Sequence, residues 1–221
     1  MFKQLFLYSI FLGIVFSLSL SVFAQKQKVL VVPYTRFQLV SDFQLEEIAS
    51  FNNCSSTEVF DVYQTSLSST LTLNQNNKYE LVFMSDSHFQ LYKRYIQYKM
   101  DKFNGKNFNG SDLSSLPNDV FKELLSSENA DFILFINWYQ IKKAVHTTYT
   151  GDRNKRNKFS QHFIDFDVYN SKKEKIYGKG NLKLDCGDFP SASMVENKCL
   201  NAKELSDCYS NFFKELDKII P

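Results

Sequence analysis

The sequence predicts an α/β domain of the α+β variant, in which amphipathic helices cover a mixed sheet of about five strands. Short runs of apolar and β-branched residues begin at residues 28, 79 and 131, and stretches with helical apolar spacing separate them. Near the carboxyl end, residues 159–169 and 175–184 alternate around a turn, which predicts an antiparallel hairpin. The predicted order is β-α-α-β-α-α-β-β-β-α.

The first half of the chain supplies two buried strands and their helices. KVLVVP at 28–33 is the best candidate for a central strand, since it is apolar on both faces and ends at proline. A short helix is predicted at 43–52, and a longer one follows the capping box of Ser55 and Glu58. YELVFM at 79–84 predicts the second strand.

The middle of the chain alternates polar and apolar segments. A helix is predicted from Ser85, with an inner face formed by Phe89, Tyr92, Ile96 and either Met100 or Tyr95. Residues 101–115 are rich in Asn, Gly and Ser, which predicts a surface loop. Pro117 opens the next helix. The longest strand candidate, 131–141, is apolar at its start and alternates later, so one end is expected to be buried and the other to project. The last helix has an apolar face formed by Leu205, Cys208, Tyr209, Phe212, Leu216 and Ile219.

The composition is that of an ordinary globular protein. The chain has 221 residues, of which 43% are hydrophobic and 23% charged. These values exclude a disordered tail, a collagen-like fibre and a protein with many membrane spans. A formal net charge of +2 gives no global field for a polyanion, so nucleic-acid binding through overall charge is not expected.

The amino terminus predicts export. Lys3 precedes an apolar run at 5–22, and the sequence Val-Phe-Ala ends at residue 24. This pattern is typical of a cleaved signal peptide at 1–24, followed by one domain at 25–221 in the periplasm or outside the cell. An uncleaved anchor is the alternative, because the run approaches the roughly 18 residues that span a bilayer. A lipid anchor is not expected, because no cysteine lies near the cleavage site.

Four cysteines in the exported part predict disulfide bonds. Three pairings are possible for Cys54, Cys186, Cys199 and Cys208. A bond between Cys186 and Cys199 is favoured because it would close a loop containing Gly, Pro, Ser and Asn, which leaves Cys54 for Cys208. A metal site or a thiol nucleophile has less support, since the sequence has no CxxC and no histidine close to these positions.

Three histidines are candidates for chemistry. His88 follows Ser85-Asp86-Ser87, which predicts a capped helix start, because adjacent residues on a helix do not face one another as a triad requires. His146 and His162 flank a hairpin and with Asp165 offer a possible metal site, although exposed hairpin histidines are the favoured interpretation.

Two carboxylates are the remaining candidates. Asp165 and Asp167 share one face of a strand, a spacing that suits acid–base catalysis but that a solvated strand face also produces. No GxSxG, HExxH, P-loop or dinucleotide motif is present. We therefore assign no catalytic residue, cofactor or metal ligand from the sequence.

The strongest local feature is a basic hairpin between residues 141 and 159. Asp152 is its only acidic residue. Its basic residues are Lys142, Lys143, Arg153, Lys155, Arg156 and Lys158. Such a patch on a projecting loop suits anionic lipid headgroups, acidic glycans or an acidic protein surface. A loop tip kept soluble by its charge is the favoured interpretation, because charge runs are common on hairpin tips.

Four segments together resemble a known family. KVLVVPY, YELVFMSD, ENADFILFINW and FIDFDVYNSKKEKIYGKG are similar to the periplasmic α/β domain of the TolB amino-terminal, CsgG and LpoB type of envelope accessory proteins. In that family an Ala-Asp-aromatic-aliphatic run marks a central strand, as residues 130–133 do here. The resemblance covers most of 28–219 and implies a non-enzymatic envelope module that binds other proteins.

The expected function is therefore that of an exported, non-enzymatic accessory or binding protein of the bacterial cell envelope. Its expected partner is an envelope protein or an anionic surface. A secreted hydrolase with a dispersed active site is the alternative. We expect no cofactor, no nucleic acid and no membrane span after cleavage of the signal.

Overall fold

A computed structural model describes residues 26–73, 78–150, 153–186 and 191–221. The predicted signal peptide at 1–24 lies outside these residues.

The main sheet is mixed and has six strands. Its central path runs β3-β1-β6-β7-β8, and β2 lies beside β6 further along that strand. β1 is parallel to β3 and β6, whereas β7 is antiparallel to both of its neighbours. The strands among the described residues are β1 (Gln27–Val32), β2 (Leu39–Ser41), β3 (Tyr79–Phe83), β4 (Gln97–Phe103), β5 (Lys106–Asp112), β6 (Phe132–Thr150), β7 (Arg153–Asn170) and β8 (Lys175–Lys183).

Helices cover both faces of this sheet, which confirms the predicted fold class. They are α1 (Leu45–Asn52), α2 (Val59–Leu73), α3 (Asp86–Tyr92), α4 (Asn118–Glu128), α5 (Ala192–Glu196) and α6 (Ser210–Ile219), with 3₁₀ turns at Arg36–Gln38, Lys93–Tyr95 and Ala202–Tyr209. One apolar core lies between the sheet and α1, α2 and α6. A second lies between the other face and α3 and α4. No helix within the described ranges is long and apolar enough to cross a bilayer.

The central strands are buried for the reason that the sequence indicates. Val29 and Val31 of β1 face the first core, and Leu30 and Val32 face the second, each with at most 1% of its surface exposed. The segments that begin at residues 28, 79 and 131 lie side by side as β1, β3 and β6.

The predicted surface loop at 101–115 was wrong. Most of it forms β4 and β5, an antiparallel hairpin that makes a second sheet. Asn104 and Gly105 both have positive φ angles, +46° and +80°, as a two-residue hairpin turn requires. The Asn and Gly residues therefore mark a turn between strands. The preceding helix ends at Tyr92, and Met100 lies in β4 with 63% of its surface exposed.

The predicted disulfide pairing was also wrong. Cys186 is bonded to Cys208, while Cys54 and Cys199 are free thiols. The backbone N–H of Asp185 donates to the carbonyl of Cys208 at 2.7 Å, so the 3₁₀ turn is held against the end of the sheet beside Cys186. Cys199 points into the first core with 3% of its surface exposed.

Candidate functional site: the β6–β7 ribbon

The two longest strands continue together beyond the rest of the sheet. β6 and β7 pair from Phe132 and Asn170 to Thr150 and Arg153. β2 leaves β6 after Ile141, and the pairing of β8 with β7 reaches only Phe163. The seven residue pairs of 144–150 with 153–159 thus form a two-stranded ribbon, about 20 Å long at the usual rise of a strand.

The base of the ribbon is tied to the body on both edges. On the β6 side, the N–H of Lys143 donates to Oδ2 of Asp42 at 3.0 Å. On the β7 side, the N–H of Ser160 donates to the carbonyl of Lys198 at 2.7 Å. The Nζ atoms of Lys142 and Lys143 lie over aromatic rings of the body, those of Phe163 and Phe43, at 4.8 and 5.1 Å. These contacts fix the direction in which the ribbon leaves the sheet.

The predicted basic residues fall on this ribbon and at its base, but on two faces. Directly opposed residues share a face. The register pairs Arg156 with Thr147 and Lys158 with Val145, so these four share one face. Positions 153 and 155, like Lys142, belong to the other face. The register therefore does not place the six predicted basic positions on one face, because positions alternate between the two faces along a strand.

His162 lies just below the ribbon and is fully enclosed. Its Nδ1 accepts a hydrogen bond from the Tyr139 hydroxyl at 3.0 Å, and its Nε2 donates to the carbonyl of Cys199 at 2.9 Å. The Ser160 hydroxyl lies 2.8 Å from the same Nε2 and donates to the same carbonyl. Burial lowers the pKa of His162 to about 4, so the ring is neutral and serves to hold β7 against the segment around Cys199. The expectation of an exposed histidine is therefore wrong for His162. The side chain of His146 is not among those that the structure describes.

Asp165 and Asp167 are buried, so the solvated strand face considered from the sequence is wrong. Asp165 accepts the backbone N–H groups of Asn109 at 2.9 Å and Asn181 at 2.7 Å. Asp167, which has no exposed surface, accepts the N–H and hydroxyl of Ser111 at 2.9 and 2.8 Å. The two carboxylates thus hold the β4–β5 hairpin on the sheet. Their hydrogen bonds leave them a structural role.

Two glycines of β8 allow the β4–β5 hairpin to pack closely on the main sheet. A Cβ atom on Gly178 would lie 2.4 Å from Cζ of Phe108, and one on Gly180 would lie 2.7 Å from Cβ of Phe108. The Phe108 ring, itself 1% exposed, therefore packs directly on the backbone of β8. Only glycine leaves room for it.

The remaining histidine cluster also has a structural explanation. Ser85 caps α3 by accepting the N–H of His88, as predicted. The ring of His88 lies 2.6 Å from Oε1 of Glu128, which ties α3 to α4.

The geometry does not support the metal site considered from the sequence. The ring of His162 stacks on that of Tyr63 in α2, whereas Asp165 faces the β4–β5 hairpin on the opposite side of the sheet. Throughout the described ranges, no three His, Cys, Asp or Glu side chains come together in a way that suits a metal ion.

A groove of about 880 Å³ runs between α2 and the 3₁₀ turn at Ala202–Tyr209. Two of its acidic residues already have partners. Glu58 accepts the N–H of Ser55 at 2.7 Å at the start of α2, and Asp61 lies 3.5 Å from the guanidinium of Arg36.

Comparisons with known proteins say little about this chain. No protein family and no curated protein matches its sequence. Its structure has a likeness to the crystal structure of a homologue of a neuraminyllactose-binding hemagglutinin from Helicobacter pylori. The two share 13% sequence identity, 89% of each chain is covered and the TM-score is 0.37. A likeness at this level bears on neither the ligand nor the activity of the present chain.

Proposed function

We propose that this protein is an exported, non-enzymatic binding protein of the cell envelope whose contact element is the β6–β7 ribbon. The observation that carries the proposal is the ribbon itself, two paired strands about 20 Å long that lie beyond the last residues paired with β2 and β8. Among the ribbon side chains that the structure describes, that of Phe159 at the base packs against the first apolar core, so packing of the core does not account for the rest of the extension.

The charge distribution supports the same element. Residues 142–158 carry six of the 26 Lys and Arg residues but one of the 24 Asp and Glu residues. The rest of the chain is therefore net negative. This asymmetry directs the ribbon, rather than the body, toward an anionic surface or an acidic protein.

The disulfide bond and the resemblance support the location. A bond between Cys186 and Cys208 persists in an oxidising compartment such as the periplasm or the exterior. The resemblance of the strand segments to the TolB, CsgG and LpoB type of domain agrees with an accessory role and remains part of this proposal.

The test replaces three basic residues of the ribbon, Arg153→Gln, Lys155→Gln and Arg156→Gln, in one variant. We expect its retention on isolated envelope, or on anionic vesicles, to fall roughly 100-fold, because each basic residue near such a surface contributes about 1 kcal/mol. The matched control removes three exposed lysines of the body, Lys102, Lys106 and Lys122, and should be retained like the wild type. Equal retention of the ribbon variant and the wild type at low salt would refute the proposal.

A further inference from the structure

The outer edge of β6 is occupied along only part of its length. β1 pairs with residues Phe132 to Phe135, and β2 pairs with Tyr139 to Ile141 on the same side of β6, the side opposite β7. From Ala144 to Thr150 no strand in the described parts of the chain pairs with β6 on that side. The ribbon therefore presents a stretch of β6 with one partner, β7, and one open side.

The backbone of this stretch points donors and acceptors outward. At its base the carbonyl of Ile141 accepts the N–H of Asp42 at 2.9 Å, and the N–H of Lys143 donates to the Asp42 carboxylate. Residues 141 and 143 thus direct their N–H and C=O groups away from β7. Because these groups alternate along a strand, those of Val145, Thr147 and Tyr149 point the same way. Three donors and three acceptors lie along the open edge, as strand addition requires.

The two edges of the ribbon differ in charge. Residues 144–150 of β6 include no Lys, Arg, Asp or Glu, and Val145 has 58% of its surface exposed. Residues 153–158 of β7 include four Lys or Arg among six. Proteins block strand addition with lysine and other charges on edge strands. The β7 edge is therefore protected, and the β6 edge is left open.

Charge selects among the possible occupants of this edge. An added strand lies about 4.8 Å from β6 and about 10 Å from β7. The side chains of Arg156 and Lys158 share a face with Thr147 and Val145, which would adjoin the added strand. Long basic side chains on that face attract acidic residues of the added strand. A second copy of this chain would bring another basic ribbon to the same place, where like charges repel.

We infer that the open edge of β6, at residues 144–150, binds an extended acidic segment of another protein as an additional β-strand. The inference rests on the proposed function and deepens it, since it names the class of partner. A lipid headgroup would neutralise the charge of the ribbon, but it would leave the outward N–H groups of β6 without the backbone carbonyl acceptors that an added strand supplies.

The test uses a synthetic acidic peptide, Thr-Glu-Val-Glu-Thr-Glu-Val, and amide hydrogen exchange of the exported chain. On saturation with peptide, the exchange of the Val145, Thr147 and Tyr149 amides should slow about tenfold or more. The amides of Ala144 and Thr148 point toward β7 and should change little. The same peptide methylated at alternate backbone nitrogens keeps its charge, loses its donors, and should give no protection.

A pair of variants at one position tests the edge from the other side. Thr147→Pro removes an outward N–H, which an edge strand tolerates, and should weaken peptide binding about tenfold. Thr147→Ala keeps that N–H and should bind like the wild type.

Three results would overturn the inference. One is unchanged exchange at Val145, Thr147 and Tyr149 at peptide concentrations up to about 1 mM, where even small interfaces associate. Another is protection that rises with protein concentration without peptide, which would assign the edge to a second copy. The third is binding to phosphatidylglycerol vesicles without protection of these amides. If Thr147→Pro is retained on envelope while the triple ribbon variant is lost, the proposed function stands and this inference fails.

Discussion

The Nζ atom of Lys175 lies 2.9 Å from Oδ2 of Asp167, a carboxylate with no exposed surface. The same ammonium group donates to the carbonyl of Ser111 at 2.9 Å and pairs with Asp101. It therefore joins β7 and β8 of the main sheet to β4 and β5 of the hairpin. Burial raises the pKa of Asp167, while Lys175 and Ser111 act in the opposite direction and favour the charged carboxylate.

Replacement of Lys175 by Met should be among the most damaging single changes in the hairpin seat. It leaves Asp167 buried without its cation, and breaking a buried pair in this way costs about 3–5 kcal/mol of unfolding free energy. Urea unfolding at pH 7 measures the loss. Lys179→Met is the matched control on β8, because its Nζ lies 3.9 Å from Glu215 at a more exposed site. That variant should lose about 1 kcal/mol or less.

Adding Asp167→Asn to the Lys175→Met variant distinguishes charge from packing. The asparagine side chain at position 167 is uncharged, so no unpaired charge is left in the interior. The double variant should therefore be more stable than Lys175→Met alone. Equal losses for Lys175→Met and Lys179→Met would show that the buried pair does not hold the hairpin.

The stability of the protein should fall in mild acid because of His162. Burial lowers its pKa in the folded state to about 4, from about 6.5 when unfolded. Between these values the unfolded chain binds a proton that the folded chain does not. The free energy of unfolding therefore decreases as the pH falls from 6.5 to 4, by up to about 3 kcal/mol.

Urea unfolding across this pH range, compared with a His162→Gln variant, isolates the histidine. Other carboxylates titrate in both proteins, so the difference between the two curves reports residue 162. We expect the variant to be less stable at pH 7 and to lose less stability on acidification. Parallel curves would mean that the ring is accessible to protons in the folded protein.

The sequence predicts the buried parts of this fold better than its polar contacts. β1, β3 and the first half of β6 are recognisable because they are runs of mostly apolar residues, and the local pattern alone produces that signal. The β4–β5 hairpin was missed because its residues are polar: the backbone of Asn109 and Ser111 binds carboxylates that lie 56 positions away. For the same reason, the sequence leaves open whether Asp165 and Asp167 face water. Alternation gives the face on which a residue lies, and a distant segment decides whether that face meets water.

The ribbon shows the same division. Its position between residues 141 and 159 and its charge follow from the sequence. The division of its basic residues between two faces depends on the β6–β7 register. The length of the unpaired edge of β6 depends on where β2 ends. Neither has a local sequence signal, since both result from pairing between distant strands.

Gly178→Ala should loosen the hairpin from the sheet. The added methyl group would meet the Phe108 ring at 2.4 Å, and overpacking of this kind costs about 1–3 kcal/mol. Phe108→Leu alone should also destabilise, but the two changes together should cost less than their sum because the smaller side chain makes room. A double-mutant cycle by thermal or urea unfolding measures this coupling. Strictly additive losses would place Phe108 away from the β8 backbone.

The disulfide bond between Cys186 and Cys208 should stabilise the protein by about 3 kcal/mol, because it closes a segment of 22 residues. Peptide mapping without reduction, after alkylation in acid, should recover these two cysteines linked and leave Cys54 and Cys199 as thiols. Burial raises the pKa of Cys199 to about 11, so under native conditions at pH 8 it should alkylate more slowly than the half-buried Cys54. The double variant Cys186→Ser, Cys208→Ser should show the loss in urea unfolding, while Cys54→Ser, which breaks no disulfide, should change stability much less. A peptide linking Cys186 to Cys199 would instead show that the segment around His162 rearranges, since Cys199 would have to leave the core.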